Sequence, residues 1–206
     1  MIDTAFLITS FVTLFVIVDP IGLTPVFLAL TQGMSPAKRR SVGLRSCFTA
    51  AILLALFAAF GEAVLGFVGI SMAAFRVAGG ALLFLTALDM LFERRSKRQQ
   101  DQGSDDDNDD PSVFPMAMPL IAGPGSIATI ILLAGQRPGL EGFAMVITVM
   151  LAVVAVLVVM FLASGVFEKL LGKTGINVIT RLLGMLLAAL SVQFILDGLK
   201  DFGFAG

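Results

Sequence analysis

The sequence predicts an all-α polytopic membrane protein. Six transmembrane helices form two inverted three-helix repeats, with helices 1 and 4 broken at Pro/Gly motifs. Three observations carry this expectation. First, 57% of the 206 residues are apolar, 14% are charged, and mean hydropathy is +0.97. Soluble domains are about 45–50% apolar and about 25% charged, so the surplus apolar surface must face lipid. Second, six apolar segments each reach the roughly 20 residues that a spanning helix needs. Third, motifs in the first half of the chain recur in the second at a nearly constant offset.

The spans read as residues 5–31, 47–67, 71–92, 113–134, 142–166 and 177–199. The first is too long for a cleaved signal peptide, lacks a basic leader, and carries Asp19-Pro20 at its middle. Lys38, Arg39, Arg40 and Arg45 follow span 1; Arg94, Arg95, Lys97 and Arg98 follow span 3; Lys169 and Lys173 follow span 5. The other side has Arg137 and Lys200. The positive-inside rule therefore places both termini outside, and residues 32–46, 93–112 and 168–176 in the cytoplasm. No Trp or Tyr is available to mark the interfaces, so that role falls to Phe, Lys and Arg. Arg76 and Arg181, about one turn inside their spans, read as snorkelling cations. Glu62, Glu168, Asp89 and Asp197 read first as interfacial or capping groups.

Composition also excludes functions. A net charge of −1 offers no basic field for nucleic acid. The absence of His rules out His-based zinc sites, triads and haem ligation. The single Cys47 reads as a small packing residue. No cofactor is expected. Residues 93–112 form one long polar segment with an acidic run at 105–110. It reads as a disordered cytoplasmic linker between residues 1–92 and 113–206. A calcium loop is a poor fit, because the glycine required at its sixth position is Asp110.

Glu62-x-x-Leu65-Gly66-x-x-Gly69-Ile70 recurs as Glu168-x-x-Leu171-Gly172-x-x-Gly175-Ile176. Arg76-x-x-Gly79 recurs as Arg181-x-x-Gly184, and Pro20 corresponds to Pro124. Three spans per half is an odd number, so the second half enters from the opposite side. That is the inverted repeat typical of secondary transporters.

The breaks are Val18-Asp19-Pro20-Ile21-Gly22-Leu23-Thr24-Pro25 and Pro119-Leu120-Ile121-Ala122-Gly123-Pro124-Gly125-Ser126. Each lies at the centre of its span. Proline removes a backbone donor and clashes with the preceding turn, while glycine relieves the backbone. Freed backbone groups are tolerated in a membrane only where protein or water satisfies them. The candidate substrate- and ion-binding residues are therefore Asp19, Pro20, Gly22, Thr24, Gly123, Pro124, Gly125 and Ser126. Asp19 has two readings that remain open together: an N-cap before a proline, and a functional carboxylate at the midplane. Gly123, its counterpart, cannot cap with a side chain. The half-helix beginning at Pro124 then offers free N–H groups to a substrate carboxylate, while Asp19 suits an ammonium or coupling ion.

These motifs, with Arg76-Val77-Ala78-Gly79-Gly80 and Asn177-Val178-Ile179-Thr180-Arg181-Leu182-Leu183-Gly184, make the chain resemble the MarC family from end to end. The resemblance implies a six-span bacterial inner-membrane protein grouped with transporters of small neutral amino acids such as glycine or alanine. It supplies no residue-level site, so the site residues rest on the helix breaks. The expected partners are a small-molecule substrate, H+ or Na+ as coupling ion, and the lipid bilayer. An exporter of another small polar metabolite and a non-transporting membrane scaffold or regulator are the alternatives. An intramembrane aspartyl protease would need two facing carboxylates, and only Asp19 lies at the midplane.

Overall fold

The computed structural model describes residues 3–92 and 111–204, and among these it contains helices and no strand. Eight helical elements follow in order: α1 (Thr4–Val18), α2 (Pro20–Leu30), α3 (Pro36–Val68), α4 (Met72–Leu91), α5 (Ser112–Ile121), α6 (Pro124–Gln136), α7 (Leu140–Leu162) and α8 (Ser164–Asp201). Five stretches are long and apolar enough to cross a bilayer, with α1 and α2 counted as one. The bent pair α5–α6 makes up to six. The acidic run and the basic cluster from Arg94 to Arg98 lie outside the described residues.

Two span boundaries differ from the hydropathy reading. α3 begins at Pro36, eleven residues before the apolar segment at 47. Ser35 accepts a hydrogen bond from the Lys38 N–H at 3.3 Å, and Pro36 occupies the first turn. Lys38, Arg39, Arg40 and Arg45 therefore ride on a helix rather than a loop. At 33 residues, α3 is roughly 50 Å long. That exceeds a hydrocarbon core of about 30 Å, and hydropathy detects only the part facing lipid. Likewise the expected loop at 168–176 is helical, interrupted at Gly172 (φ 61°). Ser112, assigned to the linker by its polarity, is fully buried as the first residue of α5.

The repeated Glu-x-x-Leu-Gly-x-x-Gly-Ile motif serves the two halves differently. In the first, Gly69 (φ 81°) closes α3, with its N–H and that of Ile70 returning to Gly66 and Leu65 carbonyls. In the second, the positive φ falls at Gly172, the counterpart of Gly66, inside α8.

Packing follows membrane rules. Along α3, the residues turned inward include Gly43, Ser46, Cys47, Ala50, Leu54, Ala58 and Gly61. Those turned outward include Phe48, Ile52, Leu56, Phe60, Val64 and Phe67. Small residues let helices approach, and the large apolar ones face lipid. α3 packs on α7, and α4 runs antiparallel against α8. The α4–α8 approach depends on glycine: a Cβ at Gly80 would lie 2.8 Å from the Ser191 carbonyl, and one at Gly198 would lie 2.9 Å from that of Ala73. Phe27 of α2 stacks on Phe161 of α7, with ring centroids 4.3 Å apart.

One end of the bundle carries two ion pairs, Asp3 with Arg137 and Arg76 with Asp201. Arg76 thus has a defined partner on α8 in addition to any interfacial role. At the other end, the Arg39 guanidinium donates to the Thr31 carbonyl at 3.4 Å.

Candidate functional site

α1 stops because Asp19 leaves the helical region. Its φ of 51° and ψ of 65° are left-handed, and it is the only non-glycine residue with positive φ among those described. Asp tolerates this region better than most side chains. Its backbone N–H closes α1 on the Phe15 carbonyl at 2.9 Å. Its side chain opens α2, with Oδ1 accepting from the Gly22 N–H at 3.0 Å. Pro20 takes the first helical position, where a missing N–H costs little. The carboxylate is completely buried. It also explains Gly22: a Cβ there would fall 2.0 Å from Asp19 Oδ2. The Thr24 hydroxyl donates to the Pro20 carbonyl at 2.8 Å, which ties down the first turn of α2.

The second break is built differently. α5 is wound with wide i→i+5 bonds, including Ala122 N–H to Ala117 carbonyl at 2.9 Å. Phe114 and Met118, each before a cis proline, depart from helical φ/ψ. Gly123 is extended, and Pro124 begins α6 at a bend of 56°. A Cβ at Gly123 would lie 2.4 Å from the Pro119 carbonyl oxygen, so only glycine fits this bend. No side chain caps α6. The Ser126 hydroxyl turns back across the break and donates to the Ile121 carbonyl at 2.8 Å. It satisfies the end of α5 and leaves the first N–H groups of α6 uncapped by side chains.

The two breaks are neighbours. Ile17, two residues before Asp19, lies 3.6 Å from the position of a Cβ on Gly125. Leu83 and Thr86 of α4 close the same point at 3.0 and 3.7 Å. Gly125 is therefore packed against α1 and α4 rather than facing open space, and a side chain there meets Leu83 first. Asp19, Pro20, Thr24, Gly125 and Ser126 are all buried, Gly22 is partly so, and Gly123 is buried beside them while Pro124 is exposed. The wall from α4 was not legible in the sequence, because Leu83 and Thr86 carry no motif. Ser10 and Thr13, buried on α1, were also missed. Their signal is polar residues at helical spacing in an otherwise apolar span. Among the described residues no group of three or more His, Cys, Asp or Glu could hold a metal.

The model of the MarC family integral membrane proteins matches residues 4–202, which includes both breaks. The chain belongs to the MarC family. It is 36% identical over 200 residues to the UPF0056 membrane protein YvbG of Bacillus subtilis, covering 95% of each chain. It is 37% identical over 198 residues to a UPF0056 membrane protein of Aquifex aeolicus, covering 94% of this chain and 92% of that one. The UPF0056 inner membrane protein YhgN of Escherichia coli is 33% identical over 194 residues, with 94% and 96% covered. No solved structure matches. This MarC protein is thus an integral membrane protein with several spanning helices.

Proposed function

We propose that this MarC protein is a secondary transporter of small neutral amino acids, glycine and alanine among them, in the inner membrane. The observation that carries the reading is the meeting of two mid-span breaks, one holding a fully buried carboxylate and the other an uncapped helix N-terminus. Opposite partial charges presented close together suit a small zwitterion. Asp19 takes the ammonium group or the coupling ion, H+ or Na+. The α6 terminus, Gly123 to Ser126, takes the carboxylate through backbone N–H groups and the positive end of the helix. Small residues at both breaks suit a substrate with a short side chain.

The two halves act as inverted repeats that rock about this site. The pairing of α3 with α7 and of α4 with α8 supports the symmetry, since each couples equivalent spans of the two halves. The relative YhgN, an inner membrane protein by name, supports the location. Both termini face outward, a placement favoured by the basic residues on α3 and after α4.

The test is uptake of labelled glycine or alanine into proteoliposomes under imposed proton or sodium gradients. Gradient-driven accumulation that Asp19→Asn abolishes is the expected result. Absence of flux in either direction by folded protein, under every gradient, would exclude the transport reading.

A further inference from the structure

The seam between α1 and α6 has a composition that packing does not explain. The two helices run antiparallel. Asp3 pairs with Arg137 at one end of the seam, and the Arg137 guanidinium lies 5.4 Å from the centre of the Phe6 ring. Ile17 meets Gly125 at the other end. Residues 3, 6, 10, 13 and 17 therefore form the face of α1 that looks at α6, because their spacing alternates three and four. Between the two ends this face presents Ser10 and Thr13, which are 1% and 4% exposed. By the same register Thr129 of α6 lies opposite Thr13, and it is 0% exposed. One turn closer to the break is Ser126.

Two of these hydroxyls, Ser10 Oγ and Thr129 Oγ1, are buried with no hydrogen-bond partner among the described residues. A buried hydroxyl left without a partner costs about 1–3 kcal/mol. Serine and threonine in membrane helices commonly bond to their own helix, as Thr24, Thr31 and Ser46 do here. Ser10 and Thr129 forgo that and stand in a seam that runs from a bundle face toward both breaks. The distance from Ser10 to Asp19 along the helix is roughly 13 Å, about half the hydrocarbon core.

We infer that the α1–α6 seam is the route by which water and a small polar solute reach the breaks from the face carrying Asp3, with Ser10, Thr13 and Thr129 lining it and the Asp3–Arg137 pair latching its mouth. The hydroxyls take up hydrogen bonds from whatever passes, so a solute shedding water there is never without partners. The ion pair and the Phe6 contact close the entrance in the conformation described. This rests on the transport reading above, but its test needs no substrate.

In a Cys47→Ala background, Ser10→Cys, Thr13→Cys and Thr129→Cys are each treated with a small positively charged thiol reagent in membranes opened so that both faces are reached. Val16→Cys and Ile131→Cys, buried but turned toward other helices, Val16 in the cluster with Met90 and Leu187 and Ile131 against Gly61 of α3, are the references. Seam cysteines should react at least tenfold faster than the references. Arg137→Gln should speed the reaction at Ser10→Cys a further threefold or more. Reaction as slow as at the references, with and without Arg137→Gln, would overturn the route. A fast seam in a protein that moves no amino acid would leave the route standing and remove the transport reading instead.

Discussion

The contact between Gly22 and Asp19 permits a sharp experiment. A Cβ at Gly22 would lie 2.0 Å from Asp19 Oδ2 and 2.8 Å from its Cγ. Gly22→Ala must therefore drive the carboxylate off the α2 terminus and break the 3.0 Å bond from the Gly22 N–H. A hydrogen bond to a charged group contributes about 1.5–3 kcal/mol. For a chain of this length, roughly 2 kcal/mol lowers Tm by about 4–8 °C. Asp19→Gly removes the carboxylate while retaining a residue that accepts φ of 51°. Glycine is also a tolerable N-cap, so that change alone costs a few tenths of a kcal/mol by capping.

Combining the two turns the clash into a measurable coupling. Without the carboxylate, the three atoms nearest to a Cβ at position 22 are gone, and alanine's better helix propensity adds up to about 1 kcal/mol. Gly22→Ala should thus be destabilising in the natural background and neutral or stabilising in Asp19→Gly. The coupling of about 2–3 kcal/mol lies at the upper end for residues in contact. Cys47, buried in α3, supplies the readout: its reaction with a thiol-sensitive fluorophore on heating reports unfolding. Equal loss of Tm from Gly22→Ala in both backgrounds would refute the assignment of Gly22 to the Asp19 carboxylate.

Asp19→Asn keeps a capping oxygen and should leave stability within about 1 kcal/mol of the original, yet abolish coupled uptake; full uptake by this variant would remove the charge from the mechanism. Alanine amide, lacking a carboxylate for the α6 terminus, should inhibit labelled alanine uptake far less than alanine does, and equal inhibition would take α6 out of the site. Phe204→Cys should be labelled by an impermeant thiol reagent added to intact cells and Gln32→Cys protected, both in a Cys47→Ala background; the reverse pattern would invert the topology. The Phe6 N–H, followed by the Arg137 charge, holds the Asp3 carboxyl below its ordinary 3.8. Its contribution is present above that value and lost as pH falls through the depressed one, so the Tm difference between the natural protein and Asp3→Asn should persist at about pH 5 and close only in stronger acid.

The legible parts of this protein are those that hydropathy and backbone chemistry determine. Apolar length locates the spans, and Asp-Pro and Gly-Pro-Gly locate the two places where a helix cannot continue. What escaped notice follows from the limits of the same signals. Hydropathy has no means of separating a basic loop from the basic first turns of a helix, so α3 extends eleven residues further toward the N-terminus than its apolar segment. Periodicity of apolar residues says nothing about a polar helical segment, so 168–176 read as a loop. The contrast between the breaks was half visible: Gly123 plainly lacks a cap, but the backward bond from Ser126 to Ile121 depends on a 56° bend that no residue type announces. The walls of the site were invisible, because Leu83 and Ile17 are ordinary apolar residues whose importance comes from where α4 and α1 cross.

The asymmetry between the breaks is what the proposed transport of a zwitterion rests on. Two identical open helix ends would both favour anions, and two capped ends would both be closed to one. Here the first terminus is occupied by Asp19, whose carboxylate lies over Gly22 so closely that no other residue fits beneath it. The second has a glycine at the cap, and glycine is required there by the 2.4 Å approach of the Pro119 carbonyl. Each glycine is thus fixed by a local contact, and the two contacts differ in kind: a side-chain carboxylate at one break, a backbone carbonyl at the other. Under the proposed function, the two breaks differ at the positions where opposite charge preferences are useful. Exchanging them tests this directly. In the double variant Asp19→Gly, Gly123→Asp, the carboxylate introduced at the second break would have to displace the Pro119 carbonyl, so the variant should lose more stability than Asp19→Gly alone. Equal stability of the two would mean that the second break tolerates a cap, and its open terminus would then need another cause.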